Sequence, residues 1–430
     1  FVSLASIGLP DDVGRPLGIV AAISILLGGV ITPSLYLLGG IGLGRPLAWL
    51  LARNSKARVT LQMLLGVGVM LWLSHLGGVL GLLNVQGPLG PMGARAAAWA
   101  IVIVGLALLA DQVARGELRP ERWPVFPIGL TLWAPAIGIM LIAACSPPGS
   151  LWASEFGAYD ALSYHLQLAK EWAAGPAGRL WPGEHNVYSY LPSYMEAAFA
   201  HLGVLAGGFN PVVPLVDRML ADDGYWVYGC QFLHVGMGII AAIAVARLVR
   251  TLAAHAGLIE ADHRLAVLGR PARAAPLLGT PRNIVVGALA YNQMGILPQI
   301  AGALLCAADP DLSAWRRGAI AGLLVGIAAS AKPTALILAG PMVALALVAW
   351  PIRANLRFRN AAVIAGAGTI TGLAAIMPWL VRNALASGNP VFPFAAGTLG
   401  RGHWTQEQID RYARNHAPEG SLIERLQLLL

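Results

Sequence analysis

The chain has 430 residues, of which 57% are hydrophobic and only 12% are charged, and its mean hydropathy is +0.65. Soluble domains carry roughly 25% charged residues, so this composition excludes a water-soluble fold and indicates an integral membrane protein. The net charge of +8 requires no nucleic-acid partner, because the basic residues cluster in short loops between apolar segments.

Four apolar segments in the first third of the chain are predicted to cross the membrane, and they comprise residues 17–42, 60–84, 96–110 and 127–147. Arginine and lysine are concentrated in the connecting segments 43–59 and 111–126. Basic loops stay on the cytoplasmic side of a membrane, so both segments are predicted to be cytoplasmic. The chain from residue 148 onward then emerges on the opposite face.

A large external loop, residues 148–227, is predicted to follow. Its polar and aromatic part extends from Glu155 to Glu196 and differs sharply from the apolar sequence on either side. The apolar run 197–208 within the loop is about a dozen residues long, which is short for a span. The run is either a re-entrant or interfacial helix or a crossing, and a crossing would require a further one between residues 209 and 282 to keep the basic loops cytoplasmic.

Further apolar segments in the second half of the chain comprise residues 228–249, 283–310, 318–331, 334–350 and 361–380. The segment 283–310 is predicted to be two short pieces broken at Asn292–Gly295 and Pro298, because unwound backbone is tolerated at membrane depth where it lines a cavity. With this break, the arginine-rich connections all fall on the cytoplasmic side. Asp160, the break, Lys332 and the loop 382–416 then share the external face.

An amphipathic helix that lies on the bilayer surface is predicted for residues 159–173. Its apolar face comprises Leu162, Leu166, Ala169 and Ala173. Asp160 stands at the start of this helix, among its polar residues. The carboxylate either caps the helix N-terminus or acts as a general base that takes a proton from an acceptor hydroxyl, and the two roles are compatible.

Other polar side chains of the external loop are candidates for binding. Glu155 precedes Asp160, so the two carboxylates could share a divalent cation, and hard oxygen ligands favour magnesium or manganese. Asn186, Tyr188 and Tyr190 offer the amide, hydroxyl and aromatic groups that hold a sugar ring. An aromatic belt at the membrane interface is the alternative reading of the same tyrosines.

Two further pairs complete the set of candidates. Tyr164 and His165 on the predicted helix are substrate-binding candidates, with a structural hydrogen bond as the alternative for the histidine. Lys332 and Arg382 lie beside apolar spans on the external face and are candidate cations for a lipid phosphate. A lysine that only extends to the interface is the alternative for Lys332.

Several of these candidate residues belong to short sequence runs whose order along the chain matches that of a known class of proteins. The runs concerned are Tyr159–Leu166, Asn186–Pro192 with Glu196, Ala331–Thr334, Pro378–Trp379, Arg382–Asn383 and Gly388–Phe394. In order and spacing they resemble bacterial membrane glycosyltransferases of the GT-C class, which include protein O-mannosyltransferases and aminoarabinose transferases. The resemblance covers about residues 127–400.

The resemblance implies a polyprenyl-phosphate sugar as donor and an acidic residue of the first long external loop as catalytic base or metal ligand. Asp160 matches that position, and Lys332 and Arg382 match the basic residues that hold the lipid phosphate. The chain departs from the class pattern in two places. Asn292-Gln293 replaces the usual acidic residue of the broken span, and the spans before residue 127 are additional.

The expected architecture is an all-α polytopic membrane protein, a GT-C-like helical bundle with a large external loop that contains amphipathic interfacial helices. Residues 1–126 are expected to form N-terminal spans and residues 127–430 the core, with external loops at 148–227 and 382–416. We expect the chain to be a fragment of a longer protein. The expected location is the bacterial inner membrane, with the active face towards the periplasm.

Three functions compete at this point. The first is inverting transfer of a sugar from a polyprenyl phosphate to an acceptor, with Asp160 as base. The second is a non-catalytic GT-C-like subunit of a larger membrane complex, with partner membrane subunits, which the Asn292-Gln293 substitution and the extra spans motivate. The third is a transporter that uses the broken span as its site. All three imply contact with the lipid bilayer.

Overall fold

The computed structural model describes residues 16–118, 126–148, 150–152, 158–206, 225–256, 275–352 and 358–416. These residues form helices and irregular segments and contain no strand. The α-helices are α1 Pro16–Ala52, α2 Arg58–Val79, α3 Gly90–Ala114, α4 Phe126–Ala144, α5 Leu166–Ala174, α6 Tyr194–Ala206, α7 Trp226–His255, α8 Ala275–Gly279, α9 Pro281–Gly287, α10 Gln293–Ala308, α11 Ala314–Ala331, α12 Thr334–Ile352, α13 Phe358–Ser387, α14 Ala396–Leu399 and α15 Gln406–His416.

Within the described part of the chain, five helices are long and apolar enough to cross a membrane: Ala22–Ala52, Arg58–Val79, Gly90–Ala114, Trp226–His255 and Arg359–Ser387. Shorter apolar helices cover Trp133–Ala144, Gln293–Ala308 and Thr334–Val348. The protein is thus a helical, multi-pass membrane protein, as its composition predicts. Many large apolar side chains on α12 and α13 are exposed, as required of helices that face lipid tails.

One end of the bundle gathers the loops that the charge pattern predicts to be cytoplasmic. The Ser55 hydroxyl donates to the Asp309 carboxylate, and the Arg247 guanidinium donates to the Lys56 carbonyl. Arg317 at the start of α11 donates to the Asp309 carbonyl at 2.7 Å. Three parts of the chain therefore meet at this end of the bundle, which we call the basic end: the loop after α1, the C-terminal half of α7 and the loop after α10.

The same basic end contains an ion-pair network between α1 and the end of α3. Arg45 on α1 contacts Asp111 at 2.6 Å and Glu117 at 2.9 Å. Arg115 contacts Asp111 at 2.9 Å, and Arg58 at the start of α2 donates to the Glu117 carbonyl at 3.4 Å. These ion pairs and this hydrogen bond connect α1, the start of α2 and the end of α3.

The opposite end of the bundle gathers the polar segments. Asn84, after α2, donates to the Trp172 carbonyl of α5 at 2.7 Å. Gln231, near the start of α7, donates to the carbonyls of Ala144 and Ser146 after α4, at 2.9 and 3.0 Å. Since α2 leaves the basic end and α7 travels towards it, these contacts define the other end, which we call the polar end.

Helix α6 is described from Tyr194 to Ala206 and packs inside the bundle. The Tyr194 ring lies 4.7 Å from the His75 ring, and two turns later the His201 ring hydrogen-bonds Ser74 at 2.8 Å. Because Ser74 and His75 are adjacent on α2, α6 crosses α2 instead of running beside it. Residues 197–205 of the apolar run are therefore buried inside the bundle, and the re-entrant or interfacial placement of the run stays a prediction.

The predicted break in the span at 283–310 is also present. α9 ends at Gly287, residues 288–292 are irregular, and α10 begins at Gln293 and returns to Asp309 at the basic end. The break lies earlier than predicted, because Gln293–Gly295 and Pro298 all lie inside α10. A proline there removes one backbone hydrogen bond, which a buried membrane helix tolerates when its neighbours retain the packing.

The chain divides into two compact units. The first comprises Phe1–Trp181 with Pro192–Pro378, and the second comprises Pro182–Leu191 with Trp379–Leu430. The first unit has one large apolar core drawn from α1, α2, α6, α7, α10 and α11. The second is small and is built around Tyr190 and Phe392.

Candidate functional site

The segment that carries Asp160 begins with a π-helical turn, Ala161–His165, before α5. The Leu166 amide donates to the Ala161 carbonyl, which is the i to i+5 bond of a π turn. The extra residue rotates the residues before it relative to those after it. Leu162 is consequently exposed, which corrects its predicted place on the apolar face with Leu166, Ala169 and Ala173.

The apolar face of this helix packs against the rest of the protein, whereas the sequence predicted that it would rest on the bilayer surface. Leu166, Ala169 and Ala173 are buried in the main core, while Leu168 and Trp172 are buried on another side. Nearly all of its apolar surface is covered by the protein, because α6 and the loop after α2 pack on it. It is a packed element of the polar end.

Ala158, just before the π turn, has φ 55° and is fully buried. A non-glycine residue in the left-handed region costs about 1–2 kcal/mol. Such strain persists only where the surrounding structure imposes it, and π turns are frequent at functional sites. The strained residue and the π turn together mark this segment as a candidate site.

Asp160 is exposed at the start of the π turn and makes no capping hydrogen bond. Among the residues that the structure describes, its carboxylate has no hydrogen-bond or ion-pair partner. The capping role that the sequence allowed is therefore not seen here. A carboxylate that faces solvent and is not engaged in packing remains available to a substrate.

His165, at the end of the same turn, is 1% exposed and is bonded to a buried carboxylate. Its Nδ1 lies 2.5 Å from Oε1 of Glu196 on α6. The second carboxylate oxygen, Oε2, is buried and has no hydrogen-bond partner in the described structure. The His165 ring is flanked by the rings of Tyr164 at 4.1 Å and Tyr291 at 5.6 Å.

The irregular segment of the broken span lies beside His165. Tyr291 and Asn292 belong to the irregular segment, and the Asn292 amide donates to the Ala331 carbonyl at the end of α11 at 3.3 Å. Lys332 follows directly as the C-cap of α11; it is partly buried, and no hydrogen bond or ion pair engages its ammonium within the described residues. The α11 C-terminus attracts a cation of this kind.

His234 on α7 links the two halves of the broken span. Its Nδ1 bonds the Val286 carbonyl of α9 at 3.0 Å, and its Nε2 accepts from the Met294 amide of α10 at 3.4 Å. Both ring nitrogens of His234 therefore form hydrogen bonds, one to each side of the break between α9 and α10.

We call the group formed by Tyr164, His165, Glu196, Tyr291, Asn292 and Lys332 the polar cluster. A chain of contacts connects it to Asp160 through the π turn, to the broken span through Tyr291, and to Lys332 through Asn292 and Ala331. Four separate segments of sequence thus contribute to one polar region of the first unit.

The second unit contains the remaining sugar-binding candidates. Asn186 caps the 3₁₀ turn Val187–Tyr190 by accepting the Tyr188 amide at 3.0 Å. The Tyr188 ring is 39% exposed, whereas Tyr190 is buried against Phe392. Burial, and secondarily the charge of Glu184, raises the pKa of the Tyr190 phenol above its usual value.

Arg382 is fully buried in the second unit. Its guanidinium donates to the Leu191 carbonyl at 3.1 Å and to Oδ1 of Asn383 at 3.0 Å. Asn383 in turn donates to the carbonyls of Tyr190 and Phe392. These contacts describe an arginine that holds the loop together, and they leave no exposed surface for a lipid phosphate.

Of the predicted pair of metal ligands, Glu155 and Asp160, only Asp160 belongs to the described residues. Among the residues that are described, no group of three or more His, Cys, Asp or Glu side chains is arranged to hold a metal ion.

Sequence reasoning did not identify Glu196 as the partner of His165. The two residues are far apart in sequence, and no spacing rule connects them. One local signal was present: Glu196 is an acidic residue in the first turn of an otherwise apolar helix, and a buried carboxylate in such a helix requires a hydrogen-bonding partner.

Comparison of the chain with protein-family models, with known proteins and with solved structures finds no match. The class that the fold defines is therefore a helical, multi-pass membrane protein. It carries a strained polar cluster at the end of the bundle opposite its basic loops.

Proposed function

We propose that the protein is a membrane glycosyltransferase of GT-C type that transfers a sugar from a polyprenyl phosphate to an acceptor hydroxyl. The observation that carries the proposal is the exposed Asp160 carboxylate, which is free of partners among the described residues and stands on a strained turn of the polar cluster. Lys332, a partly buried ammonium in the same cluster, supplies the positive charge that a lipid phosphate requires.

The proposed reaction is a single displacement. The Asp160 carboxylate takes the proton of the acceptor hydroxyl as its oxygen forms a bond to the anomeric carbon of the sugar. The bond between that carbon and the phosphate oxygen breaks, and its electron pair leaves on the lipid phosphate. Lys332 stabilises the additional negative charge of that phosphate. Inversion at the anomeric carbon follows from a displacement of this kind.

The location of the reaction follows from the two ends of the bundle. The basic loops meet at one end, and basic loops remain in the cytoplasm. The polar cluster lies at the other end, so we place it at the external, periplasmic face of a bacterial inner membrane. Lys332 belongs to that cluster, and a lysine near the interface extends its ammonium to the level of the lipid headgroups.

The test is donor turnover by the purified protein in nanodiscs. The probes are farnesyl-phosphate-linked mannose, glucose, arabinose and aminoarabinose, with octyl glycosides as acceptors. We expect release of farnesyl phosphate from at least one donor, and a fall of about a hundredfold or more in Asp160→Asn, since general-base catalysis contributes roughly 10²–10⁴-fold.

Glu407→Gln, which changes an exposed carboxylate on α15, is the matched control and should retain activity. Release from none of the donors by the wild-type protein would contradict the proposed transfer and favour a non-catalytic subunit. Full activity in Asp160→Asn, with the protein folded, would show that Asp160 is not the base.

A further inference from the structure

The buried pair His165 and Glu196 has no place in the proposed displacement, although it is the most closely bonded polar pair of the cluster. Both side chains are nearly inaccessible, at 1% and 3% exposure. Neither side chain can therefore contact a substrate directly in this structure. Their position, however, relates them directly to Asp160.

A π turn stacks residues that are five positions apart, because its hydrogen bonds join residue i to residue i+5. Asp160 is the N-cap of the turn and His165 is its last residue. His165 therefore lies about one turn above Asp160, and whatever fixes the histidine also fixes the orientation of the turn that presents the carboxylate.

Glu196 fixes the histidine to α6, the most deeply buried helix of the polar end. Every residue from Tyr194 to Leu205 is buried. α6 is held in turn by Tyr194, which donates to the Ala375 carbonyl at 2.5 Å, and by His201, which bonds Ser74 and the Ala98 carbonyl. The bond between His165 and Glu196 thus connects a strained surface turn to a rigid buried helix.

We infer that Glu196 and His165 are positioning residues, which hold the π turn so that the Asp160 carboxylate keeps its outward orientation. The inference rests on the proposed function. The strained Ala158 before the turn would relax if this anchor were lost, and Asp160 would move with it. A displacement of about 1 Å at a catalytic group can reduce turnover about a hundredfold.

The experiment measures kcat and KM for the farnesyl-phosphate sugar that wild type uses, together with the melting temperature of each variant. We expect His165→Ala to lower kcat about a hundredfold with little change in KM. His165→Asn and Glu196→Gln should retain most activity, because an Asn amide occupies the place of Nδ1 and a Gln amide can still hydrogen-bond the ring. His255→Ala, at the exposed end of α7, is the control.

A double variant distinguishes positioning from an independent role. If His165 acts only through Asp160, the variant carrying both Asp160→Asn and His165→Ala should be no slower than Asp160→Asn alone. A further loss in the double variant would overturn the inference, as would a folded but inactive His165→Asn. Wild-type kcat in His165→Ala would also overturn it, while an inactive Asp160→Asn would leave the proposed function intact.

Discussion

The two basic residues that the sequence pairs as phosphate ligands have opposite environments. Lys332 is partly buried at the end of α11 with an ammonium that no described residue engages. Arg382 is fully buried and donates to a carbonyl and an amide oxygen. A buried cation that donates several hydrogen bonds usually maintains local structure, whereas an unengaged one near an interface can bind an anion.

Substitution of each residue should separate these roles. We expect Lys332→Ala to leave the melting temperature unchanged and to weaken binding of farnesyl phosphate about tenfold, as the loss of one charge-assisted contact of about 1.5 kcal/mol requires. Arg382→Ala should lower the melting temperature, because it leaves the Leu191 carbonyl and Asn383 without their donor. Thermal melting and ligand titration in nanodiscs measure both effects.

Lys332→Arg is the control that keeps the charge and should retain binding. The interpretation of Arg382 as a structural residue would be contradicted if Arg382→Ala weakened binding of farnesyl phosphate and left the melting temperature unchanged. That result would restore Arg382 to the role that the resemblance implies.

At the scale of elements, close packing of glycines joins α11 to α13. A Cβ atom on Gly318, Gly322 or Gly326 would overlap the backbone of α13 at Ile364, Gly368 and Gly372. Small residues at such spacing let membrane helices approach each other closely, where dispersion and weak contacts replace the hydrophobic effect that lipid does not provide. The contact fixes α11, and therefore the position of Lys332 at its end.

Gly322→Ala should lower the melting temperature, because the added methyl group forces the two helices apart at a cost of about 1–3 kcal/mol. Gly366→Ala on α13 is the matched control, since a Cβ there meets no atom within 4 Å and alanine favours the helix. Equal melting temperatures for Gly322→Ala and the wild type would show that the helices do not pack this closely.

At the scale of the whole molecule, the basic end and the polar end of the bundle separate the charged loops from the polar cluster. The contacts of Ser55 with Asp309 and of Lys56 with Arg247 bring together segments that are remote in sequence. Their common end supports the topology in which the polar cluster faces away from the cytoplasm.

Cysteine labelling in sealed bacterial cells tests this topology. The native Cys145, Cys230 and Cys306 are first replaced by alanine, and single cysteines are introduced at Asn54 and Ala177, both of which are exposed. A membrane-impermeant maleimide should modify the cysteine at 177 in intact cells and the one at 54 only after permeabilisation. The reverse pattern would place the polar cluster in the cytoplasm.

From the amino-acid sequence one can predict the class of protein, most of the helical spans, the grouping of basic loops at one end and the break before α10. These features depend on local information: hydropathy over a segment long enough to cross a bilayer, and the cost of moving charge through lipid. Asp160 and Lys332 became candidates for the same reason, because a charge beside apolar segments is conspicuous, and their roles in the site stay predictions.

The contacts among the candidate residues depend on how the helices pack and could not be predicted from the sequence. The partnership of His165 with Glu196, the burial of Arg382 and the crossing of α6 over α2 join residues that are distant in sequence, and no periodicity records such pairings. The π turn that exposes Leu162 escapes a pattern built on regular helical spacing, because one additional residue in a turn rotates everything before it. Packing of the surrounding helices, not local preference, maintains that strained geometry.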